Sequence, residues 1–335
     1  MSRKKGGEQI RMSIIDVNNL NMEFKIKKKQ EGLKGSFRSL FKSDYTINHA
    51  VKDISFRIEE GDFVGLVGSN GAGKTTILKI LSGILHPTSG NATVMNYIPW
   101  ERKNEFKRKF SIVMGQRSQL WWDLPAIETF YINKDIYGIP DDKFKKRIDY
   151  LTELLDVKSK MDVQVRRLSL GERMKMELIA SLIHYPQILF LDEPTIGLDV
   201  LSQRKIREFL KTINKEDKIT IILTSHYMAD ILELCRNLII VDKGTVIYNG
   251  LIQDIFKQYG QLKTISFSFE QEIARTQAES LGEMVELTDN VARYKVKSED
   301  IQKICQTVLN KYIINDINIQ ETSIEDIICD MFNDA

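Results

Sequence analysis

The chain is poor in cysteine. It has three, Cys235, Cys305 and Cys329, far apart and odd in number. That argues against a disulfide framework, and no zinc-binding spacing appears among them. Such usage suits a reducing compartment. Long apolar runs are also missing. None approaches the roughly 18 residues that a membrane-spanning helix needs. Met1 to Arg11 is polar and basic without an apolar centre, so it does not read as a secretory leader. The strand pattern begins just after Met12, and residues 1–12 are expected to form a disordered tail. Charge of one sign is lacking too. Lys and Arg total 48 against 46 Asp and Glu, a net charge of +2. Whole-chain electrostatics therefore favour neither nucleic acid nor an anionic membrane. Internal repeats and sustained heptads are absent, which argues against coiled-coil arms. What remains is ordinary for a globular protein: 335 residues, 42% hydrophobic and 28% charged, enough for one large domain or two smaller ones.

One stretch is far from ordinary. Gly68-Ser69-Asn70-Gly71-Ala72-Gly73-Lys74-Thr75 fits G-x-x-x-x-G-K-[ST], the loop that wraps nucleotide phosphates. Glycine at 68, 71 and 73 lets the backbone curl so that N–H groups, including those of Asn70 and Ala72, point at an anion. Lys74 puts a positive charge beside the β- and γ-phosphates, and the Thr75 hydroxyl can ligate Mg²⁺. Thr76 follows in the same phosphate-binding set. Asp62–Val67 reads as a buried strand before the loop and Thr76–Ser82 as a helix after it, with Gly83 as the stop signal. The phosphates then sit at a helix N-terminus, where backbone dipoles favour negative charge.

Four apolar runs, Phe63–Val67, Ile188–Leu191, Ile219–Leu223 and Leu238–Val241, resemble buried parallel strands separated by helical patterns. Phe110–Met114 is a fifth. Residues 13 to about 60 alternate, as in Ala50–Ile58, and read as antiparallel strands interrupted by a basic insert over about 25–42. Residues 117–180 read as an inserted helical subdomain. In it Phe144, Ile148, Leu151 and Leu155 recur at helical spacing behind Asp141 as N-cap. From about 262 the order becomes strand, helix, strand, strand, helix, strand and a last helix, with the first of these helices expected at Gln271–Leu281. The expected organisation is a domain over 13–258 followed by a small α+β accessory domain over 262–335.

A second element completes the chemistry. Four apolar residues place Asp192 at the carboxyl end of a strand, where ligands bind in open α/β sheets. There it can hold Mg²⁺ opposite Thr75, and Glu193 beside it can polarise a water for attack on a γ-phosphate. The third element, Leu168-Ser169-Leu170-Gly171-Glu172-Arg173-Met174, resembles the signature of ATP-binding cassette (ABC) ATPases, usually written LSGGQ. Other landmarks of that family follow in order. Gln116 matches the Q-loop glutamine, Pro194–Asp199 the D-loop, and His226 the switch histidine. Tyr45 lies where the family carries an aromatic that stacks on adenine, with a strand-edge aromatic as the alternative. The resemblance covers about residues 13–255.

The resemblance implies a P-loop NTPase of α/β class with an antiparallel β subdomain and an inserted helical subdomain. It implies ATP as ligand with Mg²⁺ held by Thr75, Gln116 and Asp192, and catalysis by Glu193, His226 and Gln116. Two cassettes would sandwich two ATP molecules, with Ser169, Gly171 and Asp199 of one completing the other's site. Two departures stand out: Leu170 where Gly is usual and Glu172 where Gln is usual. The signature helix is expected to run from Glu172 to His184.

The same resemblance points to the ATPase subunit of a bacterial type-2 exporter, paired with another cassette and with integral permease subunits on the cytoplasmic face of the membrane. No nucleic acid partner is expected. The rival is a soluble ABC ATPase acting on ribosomes or DNA, but translation factors of that kind carry two cassettes, and repair types carry long coiled coils. Trp121 and Trp122 fit either a permease interface or the core of the helical subdomain. The basic insert fits either a lipid or permease contact or a solvated loop. His49, His86 and His184 read as surface or packing residues.

Overall fold

This computed structural model describes residues 12–27, 45–115, 118–259 and 262–333. The expected tail up to residue 11, the basic insert beyond Lys27 and Gln116 lie outside the described residues. The chain divides into two compact units, Met1–Gly250 and Leu251–Ala335.

The first unit opens with β1 (Ser13–Lys27) and β2 (Tyr45–Glu59), followed by β3 (Phe63–Gly68), α1 (Lys74–Leu81) and β4 (Ser89–Val94). Strands β2, β1 and β4 form an antiparallel sheet. Its alternation follows from one covered face: Ile54, Phe56 and Ile58 are buried while Ser55 and Arg57 are exposed. After α2 (Asn104–Lys107), β5 (Phe110–Met114) starts a second sheet. The other strands of that sheet are β6 (Ile188–Asp192), β7 (Thr220–Thr224), β8 (Asn237–Asp242) and β9 (Thr245–Leu251). The order is β5-β6-β7-β3-β8-β9, parallel from β5 through β8. Both faces are covered, so β7 is buried at every position, which is why its sequence is an unbroken apolar and threonine run. Helix α1 packs in one core with β1, β2 and β4 and with β3 and β6. Ile77, Leu78, Ile80 and Leu81 are all buried there. A helix apolar on most sides is what a site between two sheets requires.

The helical segment consists of α3 (Ala126–Tyr137), α4 (Asp141–Leu155) and α5 (Leu170–Leu182). Two expectations from sequence shift here. The N-cap of α4 is Pro140, whose extended backbone starts the helix, and Asp141 occupies the first turn, where it favours the dipole. Helix α5 begins two residues earlier than the residue pattern suggests, because Ser169 and Glu172 form a reciprocal capping box. It ends at Leu182, and His184 lies beyond it, stacked on Tyr137 at 3.8 Å. Burial holds that imidazole down to about 4, so it packs as a neutral ring. Helices α6 (Val200–Asp217) and α7 (Met228–Leu234) complete the unit. Buried Arg147 ties α4 to both neighbours, with Asp217 at 2.7 Å and the Leu182 carbonyl at 3.1 Å.

The second unit runs α8 (Ile252–Tyr259), β10 (Leu262–Phe269), α9 (Arg275–Glu279), β11 (Met284–Thr288), β12 (Val291–Lys297), α10 (Ile301–Lys311), β13 (Ile314–Glu321) and α11 (Ile324–Asn333). Its sheet is antiparallel in the order β11-β12-β10-β13. Ile265, Phe267, Phe269 and Tyr294 fill its core. Helix α9 is only five residues long, shorter than the eleven-residue helix expected at Gln271–Leu281, and it has no side-chain cap at Ala274.

Candidate functional site

The carboxyl ends of β3, β6 and β7 meet in one place, and the loop after β3 is shaped by what touches it. Gly73 has φ +108°, and a Cβ there would lie 2.4 Å from the Ala50 carbonyl. At Gly68 a Cβ would lie 2.1 Å from the Val241 carbonyl. No side chain fits at either position without moving backbone. The curl returns Lys74 into the loop, where its ammonium donates to the Gly68 carbonyl at 2.8 Å and the Ser69 carbonyl at 3.0 Å. Burial pulls that ammonium below the usual lysine range, and the carboxylates of Glu193 and Asp192 oppose the shift.

Register puts Asp192 of β6 opposite Thr224 of β7. The Thr224 hydroxyl donates to Asp192 at 2.7 Å, and the Thr75 hydroxyl donates to the same carboxylate at 3.0 Å. Two hard oxygens from different elements thus converge. That donor set fits Mg²⁺, which takes one or two protein oxygens and fills its shell with water and phosphate. No larger cluster of His, Cys, Asp or Glu able to hold a metal exists among the described residues.

Glu193 has a left-handed backbone, φ +56°, rare for a residue with a side chain. It is held there by its own N–H, which donates to the Thr224 carbonyl and hydroxyl, each at 3.1 Å. In this conformation the carboxylate faces His226, whose Nε2 lies 2.8 Å away. A cleft of about 330 Å³ opens in front of the group. The loop residues, Thr76 and Glu193 line it on one side, and Phe24, Asn48 and Ala50 line it on the other.

Tyr45 is not brought to this cleft. In the β1–β2 ladder Phe24 pairs with Asn48 and Lys27 with Tyr45. Side chains alternate faces along a strand, so Tyr45 projects away from the face that carries Asn48 and Ala50. The aromatic on the cleft is Phe24. Sequence spacing missed it because the basic insert separates Phe24 from the phosphate loop and leaves Tyr45 nearer.

Ser169, Gly171 and Asp199 are also absent from the cleft lining. They gather at a second place. Asp199 caps α6, accepting from the Ser202 N–H at 2.9 Å and its hydroxyl at 2.6 Å. A Cβ on Gly171 would lie 2.4 Å from the Ser202 hydroxyl. The signature therefore rests on the start of α6 and not on the phosphate loop of its own chain. Trp121 and Trp122 are about half exposed, at 54% and 52%, which excludes the core reading.

Known proteins resemble this chain in sequence and in fold. Residues 51–196 match the family model described as ABC transporter, and residues 261–320 match the one described as EvrA-like ABC transporter, C-terminal domain. The ABC transporter ATP-binding protein NatA of Bacillus subtilis is 34% identical over 217 residues, 65% of this chain and 88% of that protein. The chain belongs to the ABC transporter ATP-binding protein family. As an ABC ATPase it binds and hydrolyses ATP. Linearmycin resistance ATP-binding protein LnrL of Bacillus subtilis is likewise 34% identical, over 65% of this chain and 70% of that protein. ABC transporter A family member 8 of Dictyostelium discoideum is 36% identical over 69% of this chain, which is 27% of that longer protein. A solved structure titled as the ATP binding subunit of an ABC transporter superposes with a TM-score of 0.60 at 23% identity. It covers 74% of this chain and 93% of that one, and it shows the cassette fold. No helix among the described residues is long and apolar enough to cross a membrane.

Proposed function

We propose that this chain is the ATP-hydrolysing subunit of an exporter, driving separate membrane permease subunits from the cytoplasmic face. The observation that carries this reading is the separation of the two half-sites. Lys74, Thr75 and Glu193 line one cleft, with Asp192 bonded to Thr75 and His226 to Glu193 at its edge, while Ser169, Gly171 and Asp199 sit together elsewhere. A complete site then needs a second cassette, whose signature faces this cleft. The half-exposed tryptophans suit a protein interface. The relative named for linearmycin resistance favours export. A relative named for import, methionine import ATP-binding protein MetN 2 of Enterococcus faecalis, is 29% identical, below the 34% of the linearmycin resistance protein.

In this reading Thr75 and Asp192 would hold Mg²⁺, whose charge screens the triphosphate oxygens. Lys74 and the loop N–H groups hold the β- and γ-phosphates. Glu193 orients the attacking water and accepts its proton, and His226 fixes the Glu193 carboxylate and reaches the γ-phosphate. Gln116 would add a further contact to the metal and the γ-phosphate. The chemistry is positioning and charge neutralisation. The test of the transport assignment is detergent extraction of native membranes. Co-purification of this chain with an integral membrane protein supports it, and sedimentation with ribosomes refutes it.

Phe24 takes the adenine-stacking role in place of Tyr45. Base–aromatic stacking contributes about 1–3 kcal/mol, so Phe24→Ala should weaken ATP binding about tenfold or more. Inorganic triphosphate, which has no base, should bind Phe24→Ala and wild type alike. Tyr45→Ala should leave ATP affinity unchanged. Fluorescence titration measures both, and the reverse pattern would restore Tyr45.

A further inference from the structure

Asp230 on α7 is 0% exposed, and it is bonded to segments that lie far apart in sequence. Its Oδ2 accepts from the Thr195 hydroxyl at 2.5 Å and from the Ser225 hydroxyl at 2.8 Å. Its Oδ1 accepts from the Arg207 guanidinium of α6 at 2.8 Å. Thr195 and Ser225 are themselves buried, at 2% and 3% exposure. Thr195 stands two residues after Glu193, and Ser225 immediately precedes His226. Ser225 also accepts the Tyr227 N–H at 3.0 Å, so it fixes the backbone on both sides of His226.

A buried carboxylate needs a cation, and Arg207 supplies it. The two hydroxyls are more than that neutralisation requires. Both come from the loops that carry the proposed hydrolytic pair. Arg207 adds a third tie, because α6 begins at Asp199 and Ser202, against which signature residue Gly171 packs. One carboxylate thus joins the loop after Glu193, the loop before His226 and the helix under the signature.

We propose that Asp230 is a positioning residue for ATP hydrolysis: by holding Thr195 and Ser225 together it sets the 2.8 Å contact between Glu193 and His226. It touches no reacting atom. The proposal rests on the reading of Glu193 and His226 as the hydrolytic pair. Charge-assisted hydrogen bonds of this kind fix geometry as well as energy, and a displacement of about 1 Å at a reacting pair can cost on the order of 100-fold in rate.

Asp230→Ala would leave Arg207 with Glu233 alone as its acidic partner and the buried Thr195 and Ser225 hydroxyls without their acceptor, and it can fail to fold for that reason alone. The test therefore uses the hydroxyls, in the full-length chain with ATP and Mg²⁺. Thr195→Val keeps the shape and removes the donor; kcat should fall about tenfold while the Kd for ATP stays at wild type, and the chain should remain folded with a lowered melting temperature, since one buried charge-assisted hydrogen bond is lost. Thr195→Ser restores the hydroxyl and should restore kcat. Ser225→Ala should behave as Thr195→Val does. The double variant should lose less than the product of the two single losses, because both act through one carboxylate. Wild-type kcat in Thr195→Val, or equal loss in Thr195→Ser, overturns the proposal. Glu193→Gln separates the two levels. If it turns over ATP normally, the hydrolytic pair itself is misassigned. If it is inactive while Thr195→Val is normal, only the role of Asp230 falls.

Discussion

Glu193→Gln is expected to reduce steady-state ATP turnover by about 10²–10⁴-fold, the range that a positioned general base contributes, while ATP still binds. Glutamine keeps the length and planarity of the side chain and can still hydrogen-bond His226, so the 2.8 Å contact survives in altered form. What is lost is an acceptor for the proton of the attacking water. Binding should not suffer. Glu193 places a negative charge in the same cleft as Lys74 and the loop N–H groups, where a triphosphate brings several more. Removing that charge eases like-charge repulsion, and the affinity should equal or exceed that of wild type. Two cassettes closed over ATP would then have no means of reopening, and the variant should accumulate as a dimer when ATP is present. Phosphate release and light scattering on a sizing column measure the two effects. A monomeric variant with wild-type turnover would remove Glu193 from this role.

The same geometry bears on the two unusual signature residues. Glu172 could be expected to repel a phosphate brought to the start of α5. Its carboxylate is instead turned back on its own helix, accepting the Ser169 N–H at 2.9 Å and pairing with Lys160 at 3.0 Å. That backbone hydrogen bond first, and Lys160 after it, hold the carboxyl below the ordinary glutamate range. The Ser169 hydroxyl accepts from the Glu172 N–H, which leaves its own proton to donate. Leu170 lies over Gly197, where a Cβ would stand 3.3 Å from its side chain. Both departures are thus absorbed within the chain, at the start of α5 and against the Gly197 turn, and neither removes a donor from Ser169.

Sequence was most informative where a segment obeys one dominant constraint. The central strands of the parallel sheet read clearly because two covered faces demand buried residues along their length, and the edge strand Phe110–Met114, buried at alternate positions, is observed as expected. The phosphate loop read clearly because its backbone course tolerates almost nothing but glycine. Helix starts were harder. Ser169 and Glu172 are spaced as a capping box, so the start of α5 was written in the sequence, but the family signature drew attention to the same residues for another reason. Phe24 was hidden by distance along the chain, since only the ladder register brings β1 to the cleft opposite the phosphate loop. Asp230 carried no signal at all. A carboxylate two positions after a Tyr-Met pair looks like any first-turn acid, and its meaning comes from Thr195, Ser225 and Arg207 reaching it from three other segments.

Lys74→Ala should weaken ATP binding on the order of 100-fold, with the fold retained. The expectation follows from the balance of charge in the cleft. Asp192 and Glu193 are the anionic groups beside Lys74; burial pulls its ammonium below the usual lysine range, and the fields of Glu193 and Asp192 oppose that shift. Without that cation, the triphosphate meets two carboxylates with only backbone dipoles in its favour. Two charge-assisted hydrogen bonds at about 1.5 kcal/mol each amount to roughly 100-fold in affinity. Stability should move little, because the substitution removes a desolvated charge whose partners in the protein are the Gly68 carbonyl, at the end of β3, and the Ser69 carbonyl, on the exposed turn after it. Lys74→Arg keeps the charge but must fit a branched, planar group into a loop closed around a slender ammonium, so it should bind poorly as well. Calorimetric titration with ATP and thermal unfolding without it separate binding from folding. An unchanged Kd in Lys74→Ala would mean that the backbone N–H groups alone hold the phosphates, and the electrostatic account of the site would fail.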